Sequence, residues 1–106
     1  MKTYKGRREG RIIQVTVNNG RPLAPRFDLR NHSPTGFEWG YCGSGPAQLA
    51  LALLVDHLAE DEEAVALYQD FKRVVVAQLP YRGWELTSSQ MNAWLEILKS
   101  RLTVKP

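Results

Sequence analysis

Apolar and polar residues alternate in the first part of the chain, and this alternation predicts a β-hairpin. In residues 11–17 the β-branched Ile13, Val15 and Val17 share one parity, and polar side chains occupy most of the other. A period of two with β-branched residues is typical of a strand with one buried face. Residues 3–8 are predicted to form the partner strand, with a tight turn between the two.

A second turn follows directly. Asn19-Gly20 is a strong hairpin signal because both positions tolerate a positive φ, so residues 21–23 are predicted to return as a third short strand. Pro22 and Pro25 would keep this strand at the edge of the sheet, since proline donates no backbone hydrogen bond.

Residues 24–43 form a long tract without clear periodicity. Such a tract is unusual in a compact domain and is typical of a functional loop or of a loop that contains a short strand. Phe27 and Leu29 share a strand parity and predict such a strand. Gln48, near the start of the following apolar segment, must find hydrogen-bond partners if it is buried, and we expect it to hold the backbone of this loop.

The second half of the chain predicts three helices. A helix over 45–58, capped by Ser44 or Gly45, is apolar on nearly every face, which is typical of a buried, central helix. An amphipathic helix is predicted to begin at the N-cap Asp61 and to run to Leu79, where a proline stops it.

A short strand at 81–87, with Trp84 and Leu86 on one parity, precedes the third helix, which Thr87 or Ser88 would cap. These elements predict a single α+β domain in which a small antiparallel sheet of three or four short strands packs on three helices. Within residues 1–106, its parts are a basic hairpin at 2–23, a long loop at 24–43 and a helical part at 44–102.

Charge is distributed unevenly along the 106 residues. The first 30 contain eight basic and two acidic side chains, whereas the rest contain six basic and nine acidic ones. An electropositive first third predicts a surface for an anionic partner, either an acidic protein or a nucleic acid. The alternative is a solvated hairpin face with no partner.

The length of the apolar runs and the number of cysteines indicate where in the cell the protein is located. No apolar run approaches the roughly 18 residues that cross a membrane, and the basic N-terminus lacks the apolar segment of a secretory signal. A single cysteine forms no internal disulfide. We therefore expect a cytoplasmic protein that does not enter a membrane.

Three tracts resemble a known family. They are NHSPTGFEWGYCGSGPAQLALALL, ALYQDFKRVVVAQLP and the W-x-L-T segment. Together they resemble domain-of-unknown-function family 6166 (DUF6166), a group of small bacterial and phage proteins, over most of the chain up to Trp94. The resemblance implies association with phages, plasmids and other mobile elements, and no established activity. The family carries glycine where this chain has Cys42, which argues against this cysteine as a shared nucleophile.

Candidate chemistry centres on the glycine-rich tract before the first helix. Cys42 lies near a helix N-terminus, where a thiol can be activated, but neither His32 nor His57 stands at a spacing that predicts a catalytic pair. The glycines of residues 40–46 can expose backbone N–H groups to an anion, yet the tract matches no Walker A or dinucleotide motif. We therefore favour a packing role, in which these glycines let the neighbouring aromatic residues fold onto the helix. We predict no catalytic residue, cofactor or metal site.

A macromolecule-binding surface is predicted instead. Its residues are the basic side chains of the hairpin and the segment after it, with two aromatic residues of the loop: Lys5, Arg7, Arg8, Arg11, Arg21, Arg26, Arg30, Trp39 and Tyr41. Cations of this kind follow a phosphate backbone or an acidic protein surface, and exposed aromatic rings stack on bases. Because these side chains are expected on the surface, removal of Arg7 and Arg8 is predicted to leave stability nearly unchanged.

Three functions remain open at this point. The favoured one is a non-enzymatic binding protein of phage or mobile-element type that acts by contact with a host or defence-related macromolecule; an inhibitor of defence is one form that it could take. The alternative is a nucleic-acid-binding accessory protein that uses the basic hairpin. A nucleotide- or phosphate-binding enzyme built on residues 40–46 is less favoured, and the oligomeric state is not predicted.

Overall fold

A four-stranded antiparallel sheet and three α-helices make up the part of the chain that the computed structural model describes, residues 2–34 and 36–103. In chain order the elements are β1 (Thr3–Glu9), β2 (Ile12–Val17), β3 (Arg21–Pro22), α1 (Ser44–Leu58), α2 (Asp61–Val74), a 3₁₀ turn (Val76–Gln78), β4 (Gly83–Thr87) and α3 (Ser88–Thr103). The predicted α+β class is confirmed.

The sheet has the strand order β3-β2-β1-β4. The two N-terminal strands form the predicted hairpin, and the short third strand lies at one edge. The strand that contains Trp84 joins the other edge beside β1, so that Lys5 faces Thr16 on one side and Glu85 on the other. The first and last thirds of the chain are therefore held together by one sheet.

One face of the sheet belongs to the hydrophobic core. Tyr4 lies between Val17 and Leu86 in a row of buried side chains across three strands. Gly6 occupies the next inward position of β1, where a Cβ atom would come within 2.3 Å of the Trp84 indole. Only glycine leaves room for this ring, which explains a glycine in the middle of a central strand.

The helix α1 is buried along most of its length. Every residue from Gly45 to Val55 is buried, in agreement with an apolar pattern that covers all sides of a helix. The helix ends at Leu58; its C-cap Ala59 has a left-handed backbone (φ 55°) and donates its N–H to the Val55 carbonyl.

Two of the three helices begin one residue earlier than the sequence predicts. The N-cap of α1 is Gly43, which offers no side-chain cap, and that of α2 is Glu60, whose carboxylate accepts a hydrogen bond from the Glu62 amide. The predicted cap of α3 is correct: Thr87 and Gln90 exchange two hydrogen bonds between side chain and backbone. This reciprocal pair is a capping box.

The prediction that α2 runs to Leu79 is wrong. The α-helix ends at Val74, and a 3₁₀ turn follows. In a continued α-helix the Val76 carbonyl would bond to the nitrogen of Pro80, which has no hydrogen. That carbonyl instead accepts hydrogen bonds from the N–H groups of Leu79 (3.2 Å) and Gly40 (3.0 Å), which binds the long loop to the end of the helical segment.

The predicted strand through Phe27 and Leu29 is also wrong. These residues lie in a turn in which the Arg26 carbonyl accepts from the N–H groups of Leu29 and Arg30. Gln48 holds this part of the loop, as predicted. Its buried amide makes four hydrogen bonds to loop backbone, between 2.7 and 3.2 Å.

Candidate functional site

The alternation of β1 separates the neighbouring arginines of the predicted binding surface. Arg7 points away from the core and its side chain is 74% exposed, whereas Arg8 points inward and its side chain is 9% exposed. Successive side chains of a strand leave opposite faces of the sheet. The two residues consequently have different roles.

The outer face of the sheet is polar and open to solvent. Lys5, Arg7, Gln14 and Glu85 are all exposed there, on three adjacent strands. Lys5 Nζ lies 3.6 Å from a Glu85 carboxylate oxygen, and the Arg7 guanidinium lies 4.0 Å from that of Glu9. Ion pairs at such exposed positions contribute little to stability, so these cations are available to a partner.

The tip of the β1–β2 hairpin extends this face. Arg11 is exposed in the turn, and Ile12 is 65% exposed at the start of β2. We refer to Lys5, Arg7 and Arg11, together with the outer face that carries them, as the cationic sheet face.

Arg8 is a structural residue, which corrects its predicted place in the binding surface. Its guanidinium forms two hydrogen bonds with the Glu38 carboxylate (2.6 and 3.0 Å) and a third, from Nε, with the Tyr81 carbonyl (3.0 Å). It lies between two rings, 4.8 Å from the centre of Trp39 and 4.0 Å from that of Tyr81. The hydrogen bonds from Arg8 hold the pKa of Glu38 below its ordinary value, although partial burial opposes this.

Trp39 is likewise unavailable for base stacking. Its ring is 1% exposed and packs edge to face against Trp84, with 5.6 Å between ring centres. Its indole N–H donates to the carbonyls of Pro80 (2.9 Å) and Tyr81 (3.0 Å). Trp39 therefore joins the loop to the segment before β4.

The basic residues between 21 and 30 do not extend the cationic sheet face. Arg26 is only 28% exposed and bridges Asp28 in the loop and Asp61 at the start of α2. Arg21 lies 3.6 Å from Asp56, and the Arg30 guanidinium donates to the Leu29 carbonyl. For Arg21 and Arg26, the sequence shows the charge but not the aspartates that pair with it.

Two exposed residues of the turn before β4 were missed by the sequence reasoning. Tyr81 is 67% exposed and Arg82 is exposed beside it. Tyr41, which was predicted, is 51% exposed. The Arg8 pKa is raised chiefly by its hydrogen bond to Glu38, and the Tyr81 ring lies 4.0 Å from its guanidinium. A Tyr-Arg pair in a turn is the signal that was available, since both residue types are frequent at interfaces.

The glycine-rich tract serves packing. Gly43 is fully extended (φ −178°), and a Cβ atom there would lie 2.6 Å from the Tyr41 ring; at Gly45 it would lie 2.6 Å from the Glu38 Cβ. Cys42 is exposed. The two histidines are engaged elsewhere, since His32 Nε2 is 2.8 Å from the Tyr68 hydroxyl and His57 Nε2 is 2.7 Å from the Asn92 side-chain oxygen.

A cleft of about 280 Å³ lies between the segment after β3 and the C-terminal half of α1. Its lining is mostly small and apolar, with two charged residues, Arg26 and Asp56. The lining residues are Leu23, Ala24, Arg26, Ala52, Val55, Asp56 and Ala59. Both charged residues already have partners within the protein: Arg26 pairs with two aspartates, and Asp56 accepts hydrogen bonds from Lys2 and Tyr4. The cationic sheet face, with its cations at the surface, is the stronger candidate for a site.

Asp56 links the N-terminal strand to α1 and makes stability depend on pH. Its carboxylate accepts hydrogen bonds from the Tyr4 hydroxyl (2.8 Å) and Lys2 Nζ (3.0 Å). Burial raises the pKa of Asp56, but these hydrogen bonds and the nearby Arg21 outweigh it, so the pKa lies below its ordinary value. The stabilisation is therefore complete above the ordinary aspartate pKa of about 3.9 and is lost as the pH falls through the lower value of the folded protein.

We expect Asp56→Asn to lower the free energy of unfolding at neutral pH by about 1–2 kcal/mol, because the hydrogen bonds lose their charged acceptor. The difference from the wild type should shrink as the pH falls below about 4. Urea unfolding at a series of pH values measures both. A difference that stays constant down to the acid transition would contradict the assignment.

The fold and its surface define a small α+β protein with one sheet face in the core and the other open and cationic. The chain belongs to the family of unknown function DUF6166, whose sequence profile matches residues 4–97. No curated protein and no solved structure matches the chain. In the part of the chain that the structure describes, none of the helices combines the length and hydropathy needed to cross a membrane.

Proposed function

We propose that this protein is a non-enzymatic binding protein whose cationic sheet face contacts an acidic region of another protein. The observation that carries the proposal is the position of Lys5 and Arg7, 51% and 74% exposed on an open sheet face, with Arg11 at its tip. Cations in such a position attract and orient an anionic partner.

The composition of this face favours a protein over a nucleic acid. Glu85 and Glu9 alternate with the cations, at 3.6 and 4.0 Å from them. A continuous phosphate backbone is repelled by such carboxylates, whereas a protein surface can present charges of both signs. The exposed aliphatic Ile12 at the tip is a further feature of protein interfaces. Nucleic-acid binding by the same cations is the second candidate.

The surroundings of Cys42 support a non-enzymatic role. A cysteine nucleophile depends on an adjacent base, and both histidines are bonded to other side chains. The association with phages and mobile elements that the resemblance to DUF6166 implies favours a host or defence-related partner, with this protein as its inhibitor. We propose a cytoplasmic setting, in keeping with a single exposed cysteine.

Affinity capture from a lysate of the organism that encodes the protein tests this function. The double variant Lys5→Glu/Arg7→Glu is compared with Arg30→Glu/Lys72→Glu, which changes the net charge equally but alters the long loop and α2. We expect the wild type and the control to retain the same protein, with or without nuclease, and the sheet-face variant to lose it.

Two outcomes of this capture would contradict the proposal. Retention that nuclease abolishes would assign the face to nucleic acid. Retention that the sheet-face variant leaves unchanged would remove the face from the interaction.

A further inference from the structure

The strand β4 has an open edge. In an antiparallel ladder, alternate residues exchange hydrogen bonds with the neighbouring strand, and the residues between them direct their N–H and C=O groups to the other side. The Arg8 N–H donates to the Arg82 carbonyl (3.2 Å), which identifies the residues of β4 that face β1. The backbone groups of Gly83, Glu85 and Thr87 therefore point away from β1.

Two of these three residues have no backbone partner on that side. The Thr87 N–H is bonded to the Gln90 side chain (2.9 Å), whereas neither Gly83 nor Glu85 has an outward backbone hydrogen bond within the described part of the chain. The strand β4 ends the sheet order, so none of the described strands covers this edge. Each of the two residues offers one N–H and one C=O group to an extended segment of another chain.

Gly83 connects this edge to the cationic sheet face. It pairs with Arg7 across the ladder and carries no side chain on the outer face. A strand added beside β4 would lie two strand spacings from β1, about 10 Å. The side chain of Arg7, 74% exposed, and a carboxylate of the added strand can together span that distance over the glycine.

We infer that β4 accepts an extended segment of the partner as an additional strand of the sheet. The segment has an acidic residue opposite Gly83, where it meets Arg7, and a neutral or basic residue opposite Glu85. The residue between these two points to the inner side of the sheet, beside Trp84, and an apolar or β-branched side chain suits that position. This inference rests on the proposed function and gives the conformation and the residue pattern of the acidic region.

Strand addition selects a protein over a nucleic acid. A nucleic acid has no N–H and C=O groups at the spacing of a strand, so it cannot bond to Gly83 and Glu85 together. Its phosphates would also meet the Glu85 carboxylate, whose side chain is 57% exposed. The same carboxylate and the shortness of the edge disfavour pairing with strands of unmatched sequence.

The test is a selection of random peptides displayed on yeast against the wild-type protein, followed by hydrogen exchange of the ¹⁵N-labelled protein with the synthesised peptides. We expect enrichment of an acidic and a neutral or basic residue separated by one apolar or β-branched residue. The Gly83 and Glu85 amides should exchange more slowly by roughly tenfold or more when a peptide is bound. The control is the Ile13 amide, which points outward at the opposite edge and should not change.

Glu85→Pro tests the same edge by affinity. Proline removes the outward N–H and no hydrogen bond to β1. The matched comparison is Glu85→Gln, which loses the same charge and keeps the N–H. In fluorescence anisotropy the proline variant should bind the peptides more weakly than the glutamine variant by roughly tenfold or more. If the proline variant does not fold, the amide protection in the wild type decides.

A library without enrichment, bound peptides that leave the Gly83 and Glu85 amides unprotected, or equal affinity of the two folded variants would overturn the inference. If such peptides still fail to bind Lys5→Glu/Arg7→Glu, the proposed function stands without strand addition. Protection that appears without peptide and grows with protein concentration would assign the edge to a second copy of the chain and overturn the inference as well.

Discussion

Replacing Arg8 with alanine is expected to lower the free energy of unfolding by about 3 kcal/mol, because it leaves a partly buried carboxylate without its partner. Glu38 is 31% exposed, which moderates the loss that a fully buried pair would show. The variant also loses the contacts with the rings of Trp39 and Tyr81 and the hydrogen bond to the Tyr81 carbonyl. These contacts join β1, the long loop and the turn before β4 at one point.

The matched control is the preceding residue. Arg7→Ala removes the same side chain from the opposite face of the same strand and should change stability by less than about 0.5 kcal/mol. Arg8→Lys should be intermediate, since lysine keeps the charge but not the two parallel hydrogen bonds. Urea unfolding of the three variants measures the differences. Equal stability of Arg7→Ala and Arg8→Ala would contradict the structural role of Arg8.

Replacing Gln48 with leucine is expected to cost about 4 kcal/mol, since it leaves four backbone groups of the loop without partners at about 1 kcal/mol each or more. The Gln48 side-chain oxygen accepts from the N–H groups of His32 (2.8 Å) and Ser33 (3.2 Å). Its amide nitrogen donates to the carbonyls of Pro25 (2.7 Å) and Arg30 (3.0 Å). Leucine has nearly the same size but supplies none of these bonds.

Hydrogen exchange identifies which part of the chain loses protection in this variant. The amides of His32 and Ser33 should exchange much faster in Gln48→Leu, and limited proteolysis should cut within residues 24–43. The control is Gln78→Leu at an exposed glutamine after α2. Unchanged exchange in the loop would mean that other contacts hold it.

The strands and helices could largely be predicted from the sequence because their signals are local. The alternation in β2 and the all-round apolar pattern of α1 need no knowledge of the rest of the chain. Pro80 predicts only that the helical segment ends by Leu79. The change to a 3₁₀ turn after Val74 does not follow from the proline, because the N–H groups of residues 76–79 could still have bonded within an α-helix.

The opposite orientations of Arg7 and Arg8 follow from the two-residue alternation of a strand, which the sequence analysis applied to β2. A period of two applied to β1 puts Tyr4, Gly6 and Arg8 on one side. The signal was weak because the inward positions include a glycine and an arginine rather than three apolar residues. A charge in an inward position indicates a buried partner, here Glu38.

The position of Trp39 could not be predicted in this way. Its indole bonds to carbonyls 41 and 42 residues further along the chain, and the loop that carries it has no periodicity. In a sequence, aromatic residues beside basic ones fit either base stacking or packing in the core, and only the long-range contacts distinguish the two. The same limit hid Tyr81, whose ring lies on the Arg8 guanidinium and whose backbone carbonyl accepts hydrogen bonds from Arg8 and Trp39, both distant in the chain.

The most direct test of the binding surface is nuclear magnetic resonance of the ¹⁵N-labelled protein during titration with the captured partner. We predict chemical-shift changes at the amides of β1, the hairpin tip and the turn before β4, from Lys5 to Ile12 and from Tyr81 to Glu85, while those of α3 stay unchanged. Shifts confined to α3 or to the cleft between β3 and α1 would contradict the account.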